Sequence, residues 1–454
     1  MMNQTTDMTR GQPLGLLVRF AVPLLLGGLC QLLYTTADSA IVGRLIGVDA
    51  FAAVGAAGSL SWLAVDIILG LTQGFGVVFA QLFGRRQWQG LRQAVAASIL
   101  LSAGIGAALT ALGLWSVGPA LALTGTPAGI RPEAAAYLQV IFAGLPATLF
   151  NRLSSTLLQA LGNSRAPITG SVVSCGLNIA LDFLFVGAFR WGTAGAALAT
   201  VAAQLASLAY CIGKLRNIPE IRLSRASFSP PARLVRELLR LGGPMAFRNG
   251  VISAGGLFVQ SAINGYGTLF VAAMAAAEKY FNLVTLAGSA LDGAYANFSA
   301  QNYGAGRMER IRAGLRCCVG LMLATSAAVA VALLVWGKGL LRLLVAGEPG
   351  ALEEILQAGY AYLVVLAIAA PLMFLLCLYR SGLQGMGSAF APTVSGFVEL
   401  GLRIASVLLL PGWIGRWGIY LASPLGWLGA GLLLACSYYR VYRRRTANPP
   451  SYQA

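Results

Sequence analysis

The sequence predicts an all-α integral membrane protein with twelve transmembrane helices in two pseudo-symmetric six-helix lobes. Three observations carry that expectation. The chain has 454 residues, of which 57% are hydrophobic and only 10% charged, with a mean hydropathy of +0.73; a soluble domain carries about 25% charged residues. The apolar residues fall in long runs, each able to cross a hydrocarbon core of about 30 Å as a helix. Finally, the second half of the chain echoes the first.

The runs lie at roughly 15–41, 50–80, 93–118, 133–160, 166–188, 193–213, 237–264, 269–301, 311–336, 352–384, 390–411 and 417–440. Turn-forming clusters separate them, among them Gly84-Arg-Arg, Thr124-Gly-Thr-Pro, Gly162-Asn-Ser-Arg, Arg190-Trp-Gly, Asn264-Gly-Tyr-Gly, Gly347-Glu-Pro-Gly, Gly387-Ser and Pro411-Gly-Trp. The first residues are polar, and the run after Arg19 is too long for the core of a cleavable signal, so it reads as the first span. Glycine, at 56 residues, suits helices that pack through small side chains. Pro23 and Pro244 occupy matched positions and are expected to start or kink their helices; Pro146 and Pro371 fall in or near spans.

Three pairs of segments recur in the same order at a nearly constant offset. RFAVP at Arg19–Pro23 matches RLGGP at Arg240–Pro244, AQLFGRR from Ala80 matches AQNYGAGR from Ala300, and LQALGNSRAP at Leu158–Pro167 matches LQGMGSAFAP at Leu383–Pro392. Six spans per half is an even number, so both halves enter the membrane from the same side, as parallel repeats do. The expected organisation is an N-lobe at 1–213, a cytoplasmic linker at 214–236, a C-lobe at 237–440 and a basic tail at 441–454.

The net charge of +17 has its explanation in the loops. Most basic residues fall on the side of the N-terminus; Arg44, Arg131, Arg190, Lys338, Arg342 and Arg416 are on the other, and Arg152, Arg248, Lys279 and Arg403 lie within spans. This bias predicts both termini on the cytoplasmic side of a bacterial inner membrane. It also accounts for the charge without nucleic acid. The seven cysteines include no CxxC pair and read as small buried hydrophobes. There is no histidine, so any proton chemistry must use carboxylates.

Function is sought in the acids the spans contain: Asp38, Asp66, Asp182, Glu278, Asp292 and Glu399. A charge at the bilayer centre costs roughly 2.5 kcal/mol or more, so each needs a partner or a task. Asp38 stands in a long apolar run. Asn178 and Asp182 are four apart and share a helix face, and Thr200 follows on the next helix. Two carboxylates, an amide and a hydroxyl make an all-oxygen set that can hold Na⁺ or share protons. Asp38, Asn178, Asp182 and Thr200 are therefore the candidate cation- or proton-coupling residues, with Na⁺ at Asp38, Asn178 and Asp182 as the metal option. Asp66, Arg152, Glu278, Asp292 and Arg248 are candidates for a substrate cavity. Glu399 and Arg403, four apart in the favourable order, read as a structural ion pair. No catalytic triad, metal cluster or phosphate-binding glycine loop is present, so an enzyme and a nucleotide-driven pump are both disfavoured.

These residues resemble the multidrug and toxic compound extrusion (MATE) transporters. The resemblance rests on ADSAIVGRLIG with FAAVG after it, AQNYGAG, LQALGNSRAP and NIALDFLF, and runs from about Leu14 to Tyr442; FVELGLRI at Phe397–Ile404 is most similar to the bacterial branch named for the DNA-damage-inducible protein F. The resemblance implies an antiporter that exports organic, often cationic, compounds in exchange for H⁺ or Na⁺. It implies an N-lobe site at the positions of Asp38, Asn178, Asp182 and Thr200. The C-lobe acid pattern of the other bacterial branch is not matched clearly, because Glu278 is followed by Lys279. No cofactor is expected beyond the coupling ion, and the expected partners are small organic substrates and the lipid bilayer, with the chain a monomer. The alternative is a flippase for lipid-linked or polysaccharide precursors, which would favour a cavity rich in basic groups.

Overall fold

The protein is described by a computed structural model over residues 5–345 and 349–447. The Gly347-Glu348 break and the tail beyond residue 447 lie outside the described residues. Fifteen α-helices follow one another: α1 Pro13–Leu45, α2 Val48–Gly84, α3 Trp88–Leu123, α4 Arg131–Ala143, α5 Leu145–Ala160, α6 Arg165–Asp182, α7 Gly192–Arg216, α8 Ala232–Asn264, α9 Thr268–Gly304, α10 Met308–Leu344, α11 Pro349–Gly385, α12 Phe390–Leu409, the short α13 Pro411–Ile414 and α14 Trp417–Tyr420, and α15 Ala422–Ala447. Ten of the helical stretches are long and apolar enough to cross a membrane, and α4 with α5 forms an eleventh span bent by 47°. The remaining long helix, α8, is less apolar because its first turns carry Arg233, Arg236, Glu237 and Arg240. These make up the twelve expected spans.

Only helices can satisfy their own backbone groups in lipid without closing a barrel, and the surface they present is apolar. Trp115, Leu123, Leu343 and Trp413 stand outward, which water would penalise and hydrocarbon does not. The cysteines follow the same logic only in part: Cys211 and Cys318 are buried, Cys436 is exposed, and the other four are intermediate.

The break between α4 and α5 has a local cause. Pro146 sits in the first turn of α5, where it lacks an N–H and its ring would clash with a continuing helix. Pro23, Pro244 and Pro371 each lie inside a helix, so Pro23 and Pro244 do not start theirs, and Pro371 falls within a span as expected. The polar stretch after α7 is also a shorter connection than its composition suggests. It contains two single 3₁₀ turns, Pro219–Ile221 and Arg225–Phe228, and becomes α8 at Ala232. Arg92 of α3 ties it down, donating to the carbonyls of Glu220 (3.0 Å) and Pro219 (3.3 Å).

The sequence repeat has a backbone counterpart. AQLFG and AQNYG close α2 and α9, and LQA and LQG close α5 and α11. Gly162 and Gly387 follow with φ of 82° and 76°, left-handed values that glycine adopts without a steric penalty. The capping bonds match too. Gly162 and Asn163 donate to Gln159 and Leu158, as Gly387 and Ser388 donate to Gln384 and Leu383, all at 2.8–3.0 Å.

Contacts divide the chain into two compact units, Met1–Asp7 with Val22–Gly250, and Met8–Ala21 with Val251–Ala454. Within the first, α2 crosses the start of α8 at Gly70 and Gly74. A Cβ on Gly74 would meet the Cα of Gly242 at 2.4 Å, and one on Gly70 the carbonyl oxygen of Met245 at 2.5 Å. The two backbones thus touch through a small-x-x-x-small face. Within the second, Tyr295 is fully buried and donates to the Ile311 carbonyl (3.2 Å), with the Tyr438 hydroxyl 3.3 Å away. The buried Met8 is held in the same unit, its N–H donating to Oε1 of Gln301 (2.9 Å) and its carbonyl accepting from Asn302 (3.2 Å) and Arg310 (3.3 Å).

The Gly74 crossing leaves no room for a side chain. Gly74→Leu is expected to destabilise the detergent-solubilised protein by about 1–3 kcal/mol or more through overpacking, read as a lower midpoint of thermal unfolding. Gly104→Ala on α3, where a Cβ meets nothing within 4 Å, should leave the midpoint in place.

Candidate functional site

The four predicted coupling residues come together inside the first unit. Asp38 is on α1, Asn178 and Asp182 are one turn apart on α6, and Thr200 is on α7; all four are buried, Asn178 and Asp182 completely. Asn178 joins them. With its amide turned so that nitrogen and oxygen each face a complementary group, Nδ2 donates to Oδ2 of Asp182 (3.0 Å) and Oδ1 accepts from the backbone N–H of Thr200 (3.2 Å). The hydroxyl of Thr200 lies 3.4 Å from the same amide and accepts from the Tyr34 hydroxyl at 3.0 Å. The carboxyl groups of Asp38 and Asp182 are within hydrogen-bond reach of each other. One oxygen of each, Oδ1, has no hydrogen-bond partner.

Two contributors escape the sequence reading. Tyr34 is one helical turn before Asp38 and so shares its face, a spacing as visible as that of Asn178 and Asp182. Tyr137 of α4 stands close enough to interact electrostatically with Asp38, Tyr34 and Asp182; no local signal in the sequence connects it to them. A further feature marks the spot. Beyond Asp182, α6 does not stop but widens into a π-helical turn over Phe183–Ala188, a form often found beside functional groups. Its end is closed by the stacked rings of Phe185, Phe189 and Trp191.

Above these residues opens a cavity of about 470 Å³, inside the ~300–1,000 Å³ span of small-molecule sites. Asp38, Tyr34, Thr200 and Tyr137 reach its wall, and so do Asn151, Arg152 and Gln204. Of the residues predicted to line a substrate cavity, Arg152 is in this wall and the others are elsewhere. Asp66 on α2 acts electrostatically on Arg152 and its carbonyl accepts from Asn249 at 3.0 Å. Arg248 is buried and donates to Oδ1 of Asn249 at 2.7 and 3.3 Å.

Glu278 and Asp292 belong to the second unit. Asp292 accepts from the hydroxyl of Ser381. Glu278 lies near Arg403 and Tyr362. The Glu399–Arg403 pair forms at 2.7 Å and gains a second arginine, Arg380, at 3.1 Å. The buried acid of this unit is therefore neutralised by cations, whereas among the described residues no ion pair reaches Asp38 or Asp182.

Long apolar helices, an internal repeat and a pocket beside two buried acids mark the class of multi-pass membrane transporters. The chain belongs to the MatE family, whose model matches residues 23–184 and 244–409. It is 28% identical to the probable multidrug resistance protein YpnP of Bacillus subtilis over 96% of both chains. It is 26% identical to the DNA damage-inducible protein F of Escherichia coli, over 94% of this chain and 92% of that one. Its fold is that of a solved MOP superfamily transporter from Pyrococcus furiosus, with a TM-score of 0.90 at 21% identity, covering 97% and 99% of the two chains.

The amide of Asn178 is the hinge of this arrangement. Asn178→Ala would leave Asp182 buried without its donor, an effect of about 1–3 kcal/mol for an unpaired buried group, read as a lower unfolding midpoint. Combining it with Asp182→Ala should recover part of the loss, since no acid is then left unanswered; a strictly additive double mutant would contradict the bond.

Proposed function

We propose that the protein is a secondary active antiporter that exports organic compounds bearing a cationic group, in exchange for H⁺ or Na⁺, by alternating access of two lobes. The N-lobe would be residues 1–213 and the C-lobe 237–440, joined by the cytoplasmic linker 214–236 and followed by the basic tail 441–454. The setting is the bacterial inner membrane with both termini cytoplasmic, as the loop charges suggest.

One observation supports the coupling role above the rest: two buried carboxylates in reach of each other, each with an oxygen that no protein group satisfies. Two negative charges that close repel, and a proton or a cation between them relieves the repulsion. Asp38, Asp182, Asn178, Thr200 and Tyr34 offer carboxylate, amide and hydroxyl oxygens around that space, which suits a hard monovalent cation or a shared proton. Loading would then alter the packing of α1 against α6 and α7, the local event from which a larger rearrangement grows. The relatives named for multidrug resistance support drugs or other toxic compounds as cargo. A flippase would favour a cavity lined with several basic groups, and this cavity has one, Arg152.

In inverted membrane vesicles, uptake of a fluorescent organic cation should follow an imposed pH or Na⁺ gradient. Asp38→Asn and Asp182→Asn should each fall to near the background of vesicles lacking the protein, at equal protein levels. Undiminished gradient-driven uptake by both variants would remove the coupling role.

A further inference from the structure

The cavity of the first unit is lined by groups of opposite charge, Asp38 and Arg152, and among the described residues no ion pair or hydrogen bond ties down its cation. Arg152 projects from α5 into the cavity beside Asn151. Among the described residues its guanidinium makes no ion pair and no hydrogen bond; Asp66, the acid that bears on it electrostatically, does not line the cavity. A cation carried on a membrane-spanning helix is expensive unless something answers it. Arginine presents a planar fork of donors that fits a carboxylate in two-point fashion. Asp38 and Asn151 also line the cavity, and a carboxylate there suits a positively charged nitrogen. The rest of the lining mixes hydroxyls and amides, such as Tyr34 and Gln204, with apolar side chains, such as Phe51, Val54 and Trp62.

We propose that Arg152 is a specificity-determining residue which binds a carboxylate of the cargo, so that the preferred substrates are zwitterions, compounds carrying both a cationic centre and a carboxylate. This rests on the export reading, in which the cavity holds the cargo, and narrows it. A guest with only a positive charge would satisfy Asp38 and Asn151 and leave the guanidinium facing an uncharged group. A guest with both charges satisfies each end, and the mismatch of the first is a loss of affinity because an unanswered charge stays in a poorly hydrated site.

The test uses the purified full-length protein in detergent and two dyes with one ring system: a rhodamine with a free carboxylate and its methyl ester. Binding is followed by fluorescence anisotropy. Wild type should hold the free acid about tenfold or more tighter than the ester, the scale of a charge-assisted hydrogen bond pair. Arg152→Gln should bring the two affinities together while the ester binds as before, which also reports that the variant is folded. Arg152→Lys should keep part of the preference. Equal affinity of wild type for both dyes would overturn the assignment without need of any variant. So would a preference that survives in Arg152→Gln. Failure of wild type to bind either dye would instead count against the export reading, and this one with it.

Discussion

An acid removed from water must be met by a charge, a hydrogen bond or a proton, and the two units of this protein meet theirs differently. In the first, an amide stands between Asp182 and the backbone of Thr200, and a tyrosine secures the threonine from another helix. The bonds run from α1 through α7 to α6, so the three helices are held in register by groups that would be costly to leave unpaired in an apolar interior. The bonding is incomplete, since both carboxylates keep an oxygen in reserve. Those two oxygens are the observation on which the proposed coupling role rests.

The second unit uses the opposite solution. Glu399 is gripped by Arg403 from its own helix and by Arg380 from α11, and Arg403 also lies over the ring of Trp427 at 6.0 Å. Removing one member would leave an uncompensated charge, which is the strongest reason such groups persist together. One backbone plan, recurring down to matched glycine turns, thus carries two unlike electrostatic designs. The repeat constrains helix ends and crossings, where geometry is demanding, and leaves the polar interior free to diverge.

Much of this was legible beforehand, for reasons that can be stated residue by residue. The apolar runs give the spans because lipid admits few alternatives, and the Asn178–Asp182 spacing gives a shared face because helical periodicity is fixed. The grouping of Asp38 and Thr200 with that face rests on the cost of acids in apolar spans and on the oxygen set they complete, with the family resemblance added to it, since no spacing rule connects separate helices. Tyr34 was within reach of the same periodicity and was missed because a tyrosine in an apolar run has a ready explanation as packing. Tyr137 and Arg380 were not legible: each approaches its acid across a helix interface. Of the two roles open to Pro23 and Pro244, the helix start is ruled out by position, because apolar composition marks the lipid-embedded part of a helix, whereas α1 and α8 begin earlier, in more polar sequence.

The π-helical turn after Asp182 has an implication for the chain's history and for its engineering. Such a turn accommodates one residue more than an α-helix of the same rise. Deleting a single residue between Phe183 and Ala188 would restore the regular winding, but it would also change the spacing between the rings that follow Asp182 and narrow the turn from which the chain leaves for α7. The stacked trio of Phe185, Phe189 and Trp191 could not then form as it does, and α7, which delivers Thr200, would be launched in another direction. The segment is therefore a spacer whose length is part of the site: its count of residues, more than their identity, keeps the threonine opposite the acid.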